Sequence, residues 1–225
     1  MFDFLSTYDD PTLLGAFWMT VQLTFFSAIG SLVWGTLLAG MRVSPVPLMR
    51  GFAVAYVNIV RNIPLTVIIV FTSLGLADIF GVTMGAPDDF ALQGFRLAVL
   101  GLAAYTAAFV CEALRSGINT VPVGQAEAAR ALGLSFLQVL TLIVLPQAFR
   151  AVIAPLANVL IALTKNTTVA AAIGVAEAAL LMKEMIENEA QTLLIGAVFA
   201  FGFLVLTLPT GLLLGWLSKR LAVKR

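Results

Sequence analysis

Charged side chains are scarce in this sequence: only 11% of its 225 residues are Asp, Glu, Lys or Arg, whereas 60% are hydrophobic. A water-soluble domain carries about 25% charged residues because its surface must face water. The shortage of charge therefore excludes an ordinary soluble protein and indicates that lipid covers much of the chain surface.

Histidine is absent, and Cys111 is the single cysteine. The chain thus lacks the commonest metal ligand and the usual general base, and it cannot form an internal disulfide or a multi-cysteine metal site. We therefore expect no catalytic residues and no metal site, and we interpret Cys111, which lies in an apolar run, as a buried packing residue. The net charge of +1 gives no indication of a nucleic-acid partner.

Apolar stretches long enough to cross a bilayer, which takes roughly 20 residues per helix, recur along the chain. The predicted spans of this single domain, residues 1–225, are about 13–40, 51–76, 95–114, 147–164 and 192–217. This pattern predicts an all-α integral membrane protein with five transmembrane helices.

Small residues repeat every four positions in two of these spans. Such stripes allow close helix packing in lipid, although small residues are also common in any membrane helix, so both interpretations stay open. The stripes consist of Ser27, Ser31, Gly35 and Ala39 in the first span and of Gly211 and Gly215 in the fifth.

Basic residues concentrate on one side of the predicted membrane. The loop after the first span, the long loop after the third span and the C-terminus contain Arg42, Arg50, Arg115, Arg130, Arg150, Lys219, Arg220, Lys224 and Arg225, opposed by Glu112 and Glu127. The other side contains Asp3, Asp9, Asp10, Asp78, Asp88, Asp89, Glu177, Glu184, Glu187 and Glu189, opposed by Arg96 and Lys183. Because basic loops stay in the cytoplasm, we expect the N-terminus outside and the C-terminus inside the cell. The acidic outer loops either contact an extracellular partner or are solvated loop charges.

The long loop between the third and fourth spans, residues 117–146, predicts a short helix at the inner membrane face. Residues 125–132 are rich in good helix formers, and Gly133 suits the position that ends a helix. A short, defined helix of this kind is typical of a docking element.

A second helix is expected directly after this turn. Ser135 and Gln138 form a candidate capping box at its start, and we expect it to end at Leu145 because Pro146 follows.

The same loop resembles the EAA loop of the permeases of ATP-binding-cassette (ABC) importers. The pattern of that loop, E-A-A-x3-G-x9-I-x-L-P, is met at every fixed position, namely Glu127, Ala128, Ala129, Gly133, Ile143, Leu145 and Pro146. The resemblance implies a type I ABC importer permease fold with a cytoplasmic coupling helix, here about residues 121–132. It further implies that these residues, together with Gln125, dock onto a cytoplasmic ATPase subunit.

Other segments are similar to permeases for polar amino acids, the class that transports histidine, glutamate, glutamine and arginine. These segments are Arg61-Asn62-Ile63-Pro64-Leu65, Glu112-x-x-Arg115-x-Gly117 leading into Gly124-Gln125, and Lys165-Asn166-Thr167-Thr168 followed by Ile173-Gly174. Residues 115–134, 160–174 and 217–225 look most like the glutamate permeases of actinobacterial uptake systems. The resemblance implies a bacterial cell-membrane subunit that works with an ATPase dimer, a second and different permease subunit, and an extracellular amino-acid-binding protein.

No G-x-x-x-x-G-K-[ST] phosphate loop occurs in the chain. We therefore expect the chain to bind no cofactor and to be no enzyme, with ATP and Mg²⁺ used by the partner ATPase. A stand-alone secondary transporter or channel for a small polar solute stays open as the alternative, although five spans without an evident inverted repeat do not favour it.

Two basic residues, Arg61 and Lys165, interrupt the apolar stretches. A charge at the bilayer centre costs at least about 2.5–3.5 kcal/mol, so such residues usually face the bundle interior or a wet cavity. We hypothesise that two polar segments border the translocation path and contact amino-acid carboxylates; they comprise Arg61, Asn62 and Pro64, and Lys165, Asn166, Thr167 and Thr168. The cations could instead snorkel or bond free backbone carbonyls, and that interpretation stays open.

Overall fold

The structure, a computed structural model, describes residues 12–84, 89–189 and 191–221. These residues form helices and no strand. The helices are α1 Leu13–Val43, α2 Pro47–Asn62, α3 Leu65–Val70, α4 Phe90–Ile118, α5 Val123–Ala131, α6 Phe136–Gln138, α7 Leu145–Asn166, α8 Ala178–Glu189 and α9 Thr192–Leu221. Wide π-helical segments, Phe71–Ile79 and Val139–Val144, extend α3 and join α6 to α7, and a 3₁₀ segment, Thr167–Ile173, follows α7.

Four helical stretches in the described part are long and apolar enough to span a bilayer. They are Leu13–Val43, Phe90–Ile118, Phe136–Ile173 and Thr192–Leu213. A fifth candidate is a pair, Pro47–Asn62 and Leu65–Ala77, which is bent by 106°. The five-span prediction therefore corresponds to four continuous helices and one broken one.

The break in the second span lies at Ile63 and Pro64, where the sequence predicts an interruption. Both residues are extended, with ψ of 133° and 137°. Proline disfavours the helical conformation of the residue before it and supplies no N–H to the helix, so the backbone changes direction at this point. Arg61 thus lies at the end of one half-span, where backbone carbonyls are free.

The first small-residue stripe is a packing face within the chain. Ser27, Ser31, Gly35 and Ala39 are all buried, and α1 packs along α4 over most of its length. A Cβ added to Gly35 would lie 2.6 Å from the Cβ of Val110, which is too close for any larger residue. The absence of side-chain bulk on α1 therefore permits the close approach of α1 and α4.

The rest of the bundle is built on α4. Helix α7 packs on α4, and α9 packs on α7. A Cβ on Gly211 of α9 would lie 3.3 Å from Cδ1 of Ile161, whereas one on Gly215 would meet open space. Cys111 is fully buried, as the sequence predicts.

The helix, turn and capping box predicted for the long loop are confirmed. Helix α5 is followed by Gly133 with a φ of +88°, a conformation that glycine adopts without strain. Ser135 then accepts a hydrogen bond from the Gln138 N–H, while the Gln138 side chain accepts one from the Ser135 N–H.

The prediction that the second loop helix ends at Leu145 is wrong. Helix continues from Phe136 through Pro146 into the fourth span. The Leu145 N–H donates to the carbonyl of Leu140, five residues back. Because this wide turn changes the hydrogen-bond register before Pro146 is reached, and because proline is tolerated in the first turn of a helix, the chain stays helical.

Glu177 fits neither alternative for the outer acidic residues, a partner contact or a solvated loop charge. Its side chain is fully buried, where its carboxylate accepts hydrogen bonds from the N–H groups of Ala179 and Leu180 at 2.9 and 3.0 Å. Thr20 of α1 donates to the same carboxylate at 3.4 Å. Burial raises the pKa of Glu177 above its ordinary value, and these hydrogen bonds oppose the rise. The residue therefore caps α8 against α1 and is not available to a partner.

The other acidic residues predicted on the outer side differ in their surroundings. Asp89 caps α4 by accepting a hydrogen bond from the Leu92 N–H at 2.9 Å. Glu184 and Glu187 are exposed on α8, and Glu187 forms an ion pair with Lys183 at 3.8 Å. Outside the described residues lie Asp3, Asp9, Asp10, Asp88, Lys224, Arg225 and the side chain of Asp78.

Candidate functional site

A cavity with several hydrogen-bonding side chains in an otherwise apolar lining lies between α4 and α7, and it opens to the chain surface, where Asn158 and Ala162 are exposed. Its volume is about 330 Å³, which falls in the range of about 300–1,000 Å³ that is usual for small-ligand sites. Four of its lining residues carry hydrogen-bonding side chains; the lining consists of Tyr105, Thr106, Phe109, Asn158, Val159, Ala162 and Asn166. Polar side chains within a membrane span are expensive unless they serve a ligand, water or one another.

Thr106 has an unmet hydrogen-bonding capacity beside this cavity. Its hydroxyl oxygen is buried and has no hydrogen-bond partner among the described residues. A buried polar group without a partner costs about 1–3 kcal/mol, and such groups in a native protein call for an explanation. A bound polar solute or water in the cavity would supply the missing partner.

Arg61 lies against the wall of the same cavity. The carbon at the centre of its guanidinium group is 5.6 Å from the ring centroid of Phe109, which is cation–π distance. Its side chain is 46% exposed, and its Nη1 atom is 4.0 Å from Oε2 of Glu112. The loose pairing leaves the guanidinium donors of Arg61 accessible to a carboxylate.

Glu112 joins three helices through an ion-pair cluster. Its carboxylate pairs with Arg42 of α1 and with Arg115 of α4, the latter at 2.9 Å, and Arg61 of α2 approaches it as well. The Glu112 side chain is only 20% exposed. One carboxylate among three guanidinium groups leaves an excess of positive charge next to the cavity, which favours anionic over cationic solutes.

The residues predicted to border the translocation path differ in their position relative to the cavity. Asn166 lines the cavity and Arg61 touches its wall, whereas Lys165 is exposed and is not among the lining residues. The hydroxyls of Thr167 and Thr168 donate to the carbonyls of Thr164 and Lys165 at 2.7 and 2.8 Å.

The other half of the hypothesis concerns the residues around the break in the second span. The Asn62 side chain donates to the carbonyl of Asn58 at 2.6 Å. Pro64 acts through the backbone, by ending α2.

Sequence reasoning missed three polar residues of the cavity. Tyr105 and Thr106 in α4 and Asn158 in α7 line it, yet the adjacent pair and the single asparagine are each surrounded by apolar residues. Only Asn158 carried a usable signal, because a lone amide in a predicted span usually faces the interior of the bundle. The role of Glu112 could be suspected from Arg115 one helical turn later, but its other two partners are far away in the sequence.

The docking loop presents an exposed apolar surface around α5. The large side chains exposed there are Val123, Leu132, Phe136 and Leu137. Within the EAA triplet, Glu127 and Ala128 are exposed, and Ala129 is buried against the rest of the chain. The loop thus combines an inward anchor with an outward apolar surface.

A side-chain hydrogen bond connects α5 to the fourth span. Nε2 of Gln147, one residue after Pro146, donates to Oε1 of Gln125 at 2.7 Å and to the carbonyl of Ile143 at 2.9 Å. Of the remaining EAA positions, Ile143 is half-buried, while Leu145 and Pro146 are exposed.

Comparison with known proteins agrees with this arrangement. Residues 12–223 match the model of the family described as the inner membrane component of binding-protein-dependent transport systems. The chain is 58% identical over 219 residues to the glutamate transport system permease protein GluC of Corynebacterium efficiens, covering 96% of each chain. It is 56% identical over 219 residues, with the same coverage, to GluC of Corynebacterium glutamicum.

A solved structure has the same fold. A chain from the crystal structure of an amino acid ABC transporter with histidines superposes with a TM-score of 0.82 at 26% identity, covering 92% of this chain and 93% of that one. The resemblance to ABC importer permeases and the expected type I fold are therefore confirmed. The chain belongs to the family of inner membrane components of binding-protein-dependent transport systems, and it is a membrane permease subunit of an ABC importer.

Proposed function

We propose that this chain is the glutamate permease subunit of an ATP-driven importer and that the cavity between α4 and α7 is part of its translocation path. The observation that carries the proposal is the cavity with four hydrogen-bonding side chains in its lining, with Arg61 at its wall and with an excess of positive charge from the Glu112 cluster. A glutamate anion offers two carboxylates and one ammonium group, which the Arg61 guanidinium and the oxygens of Thr106, Asn158 and Asn166 can pair. The substrate named for the corynebacterial relatives supports this choice.

The energy for transport comes from partner subunits in this proposal. An ATPase dimer binds ATP and Mg²⁺, docks onto the exposed surface of α5 and its neighbours, and drives the spans between two states. An extracellular binding protein delivers the substrate, and a second, different permease subunit completes the path. Lys165 stays part of the proposed path, because an exposed cation inside the stretch Phe136–Ile173 must face protein or water in the assembled complex.

The proposed orientation places the α5 end of the bundle in the cytoplasm and the N-terminus outside. Among the described residues this end carries Arg42, Arg50, Arg115, Arg130, Arg150, Lys219 and Arg220. The Lys and Arg bias supports this orientation.

The test is uptake of labelled glutamate by proteoliposomes that contain the complete complex, with unlabelled glutamine, aspartate and arginine as competitors. We expect glutamate to compete best and arginine worst. We also expect Arg61→Gln to lower uptake at limiting substrate about tenfold or more, because a charge-assisted hydrogen bond contributes about 1.5–3 kcal/mol.

The matched control is Arg50→Gln, which removes an exposed arginine at the start of α2, far from the cavity. The path proposal fails if Arg61→Gln and Lys165→Gln complexes, assembled and still ATP-coupled, transport at the parental rate and affinity. The substrate proposal fails if arginine or glutamine outcompetes glutamate.

A further inference from the structure

We propose that Gln147 is a positioning residue that transmits the movement of α5 to the fourth span through its hydrogen bond to Gln125. This inference rests on the proposed function, since it assigns a role in the coupling of ATP hydrolysis to transport. Neither glutamine belongs to the fixed positions of the EAA pattern.

The Gln147 amide connects two elements that otherwise meet through apolar contacts. Its Nε2 atom donates to Gln125 in α5 and to the carbonyl of Ile143 in the π-helical segment. The two N–H bonds of one amide group satisfy these two acceptors, so both are held by the same planar group. A displacement of Gln125 must therefore act on the backbone just before Pro146.

The backbone at this point is suited to a change of register. The segment Val139–Val144 is π-helical, and such wide turns occur mostly at functional sites. Pro146 offers no N–H to the carbonyls before it, so that part of the helix is held by fewer backbone bonds than a regular helix. The Gln147 side chain adds a bond to the Ile143 carbonyl in this region, which ties the π-helical turn to α5.

Helix α7 links this turn to the proposed path. Asn158, which lines the cavity, lies about 16 Å along the helix from Gln147 and, at 3.6 residues per turn, on nearly the same face. Helix α7 packs on α4 between the two positions, so a shift at Gln147 changes the position of Asn158 relative to Tyr105 and Thr106. The hydrogen bond between Gln147 and Gln125, called the bridge below, thus connects the exposed surface around α5 to the cavity through helix α7.

Other groups near the bridge do not substitute for it. Ala128, Ala129 and Ala126 of α5 carry no hydrogen-bonding side chain, and Glu127 has no ion pair among the described residues. The bridge is a pair of neutral amides, so its strength is expected to be independent of pH between about 5 and 9.

The experiment uses the complete complex in proteoliposomes and measures the number of glutamate molecules imported per ATP hydrolysed. We expect Gln147→Ala to lower this ratio about two- to tenfold, the range that one neutral hydrogen bond supports. The Michaelis constant for glutamate and the amount of ATPase that co-purifies should stay at parental values, because Gln147 belongs neither to the cavity lining nor to the exposed apolar surface around α5. A residue with only a structural role would change expression or assembly and leave the ratio unchanged.

A charge-pair variant makes the test specific to the bridge. Gln125→Lys and Gln147→Glu should each lower the ratio, and the two together should restore part of it, because an ammonium and a carboxylate can replace the bond between the two side chains, whereas a carboxylate cannot donate to the Ile143 carbonyl. The control is Gln22→Ala, which removes a half-buried glutamine in the half of α1 remote from the loop.

Three outcomes would overturn the inference: a parental ratio in Gln147→Ala, independent effects of the two charged variants without mutual rescue, or loss of ATPase co-purification in Gln147→Ala. Failure of the proposed function is a separate result, recognised when the parental complex itself shows no ATP-driven glutamate import. If the parental complex imports a different amino acid, the bridge is tested in the same way with that substrate.

Discussion

Replacing Glu112 with glutamine removes the one carboxylate that holds Arg42, Arg61 and Arg115 together. The pairs with Arg42 and Arg115 are partly buried, and the Glu112 side chain is 20% exposed. Breaking a fully buried pair by removing one partner costs about 3–5 kcal/mol. Partial exposure of this cluster reduces the figure, so we expect Glu112→Gln to destabilise the protein by about 2–3 kcal/mol, which corresponds to about 4–12 °C in melting temperature at this chain length.

Two matched variants separate this effect from a general loss of charge. Glu184→Gln removes an exposed carboxylate of α8 and should change the melting temperature by less than about 2 °C. Arg42→Gln combined with Glu112→Gln should recover part of the loss, because fewer unpaired cations remain.

The assay is thermal unfolding of the purified complex in detergent, followed by the fraction that stays monodisperse. A Glu112→Gln protein as stable as the Glu184→Gln control would refute the role of the cluster in joining α1, α2 and α4. Equal destabilisation by the single and the double variant would refute the charge argument.

Three further predictions concern packing, protonation and topology. Gly35→Leu should destabilise the α1–α4 contact by about 1–3 kcal/mol through overpacking, measured as a lower melting temperature, whereas Gly40→Ala, whose Cβ meets open space, should be near neutral. Burial raises the pKa of Glu177, so its contribution to stability is full below the ordinary carboxyl pKa and is lost as pH rises through the raised value; unfolding between pH 4 and 8 should show this loss, and Glu177→Gln should abolish it. With the proposed orientation, cysteine at Gln191 should react with a membrane-impermeant thiol reagent in intact cells, and cysteine at Ser135 should react only after the membrane is opened; the reverse pattern would contradict the orientation.

The elements that sequence could predict are those with a local cause. Apolar length gives the spans, Pro64 breaks the second one, and Gly133 with the box at Ser135 ends one loop helix and starts the next. The spans depend on the composition of one continuous stretch, and the break and the loop caps depend on residues within about one turn, so composition, propensity and spacing suffice.

One error arises from an unusual helical turn, and the other differences arise from contacts between distant parts of the chain. The sequence predicts that a helix ends before Pro146, but the π-helical turn just before Pro146 shifts the hydrogen-bond register, and the helix continues. Glu177 was expected in solvent, but α1 covers it and Thr20 bonds it. The cavity combines residues of α4 with residues of α7, and no spacing along the chain connects Thr106 with Asn158. Tertiary packing decides the last two.

The most direct test of the account is glutamate accumulation in vesicles that contain the complete complex, with the energy source as the only variable. Vesicles with ATP and Mg²⁺ should accumulate glutamate, and vesicles with a non-hydrolysable ATP analogue, or with an imposed ion gradient alone, should not. Accumulation driven by the gradient without ATP would contradict the assignment of this chain as a permease that depends on a docked ATPase.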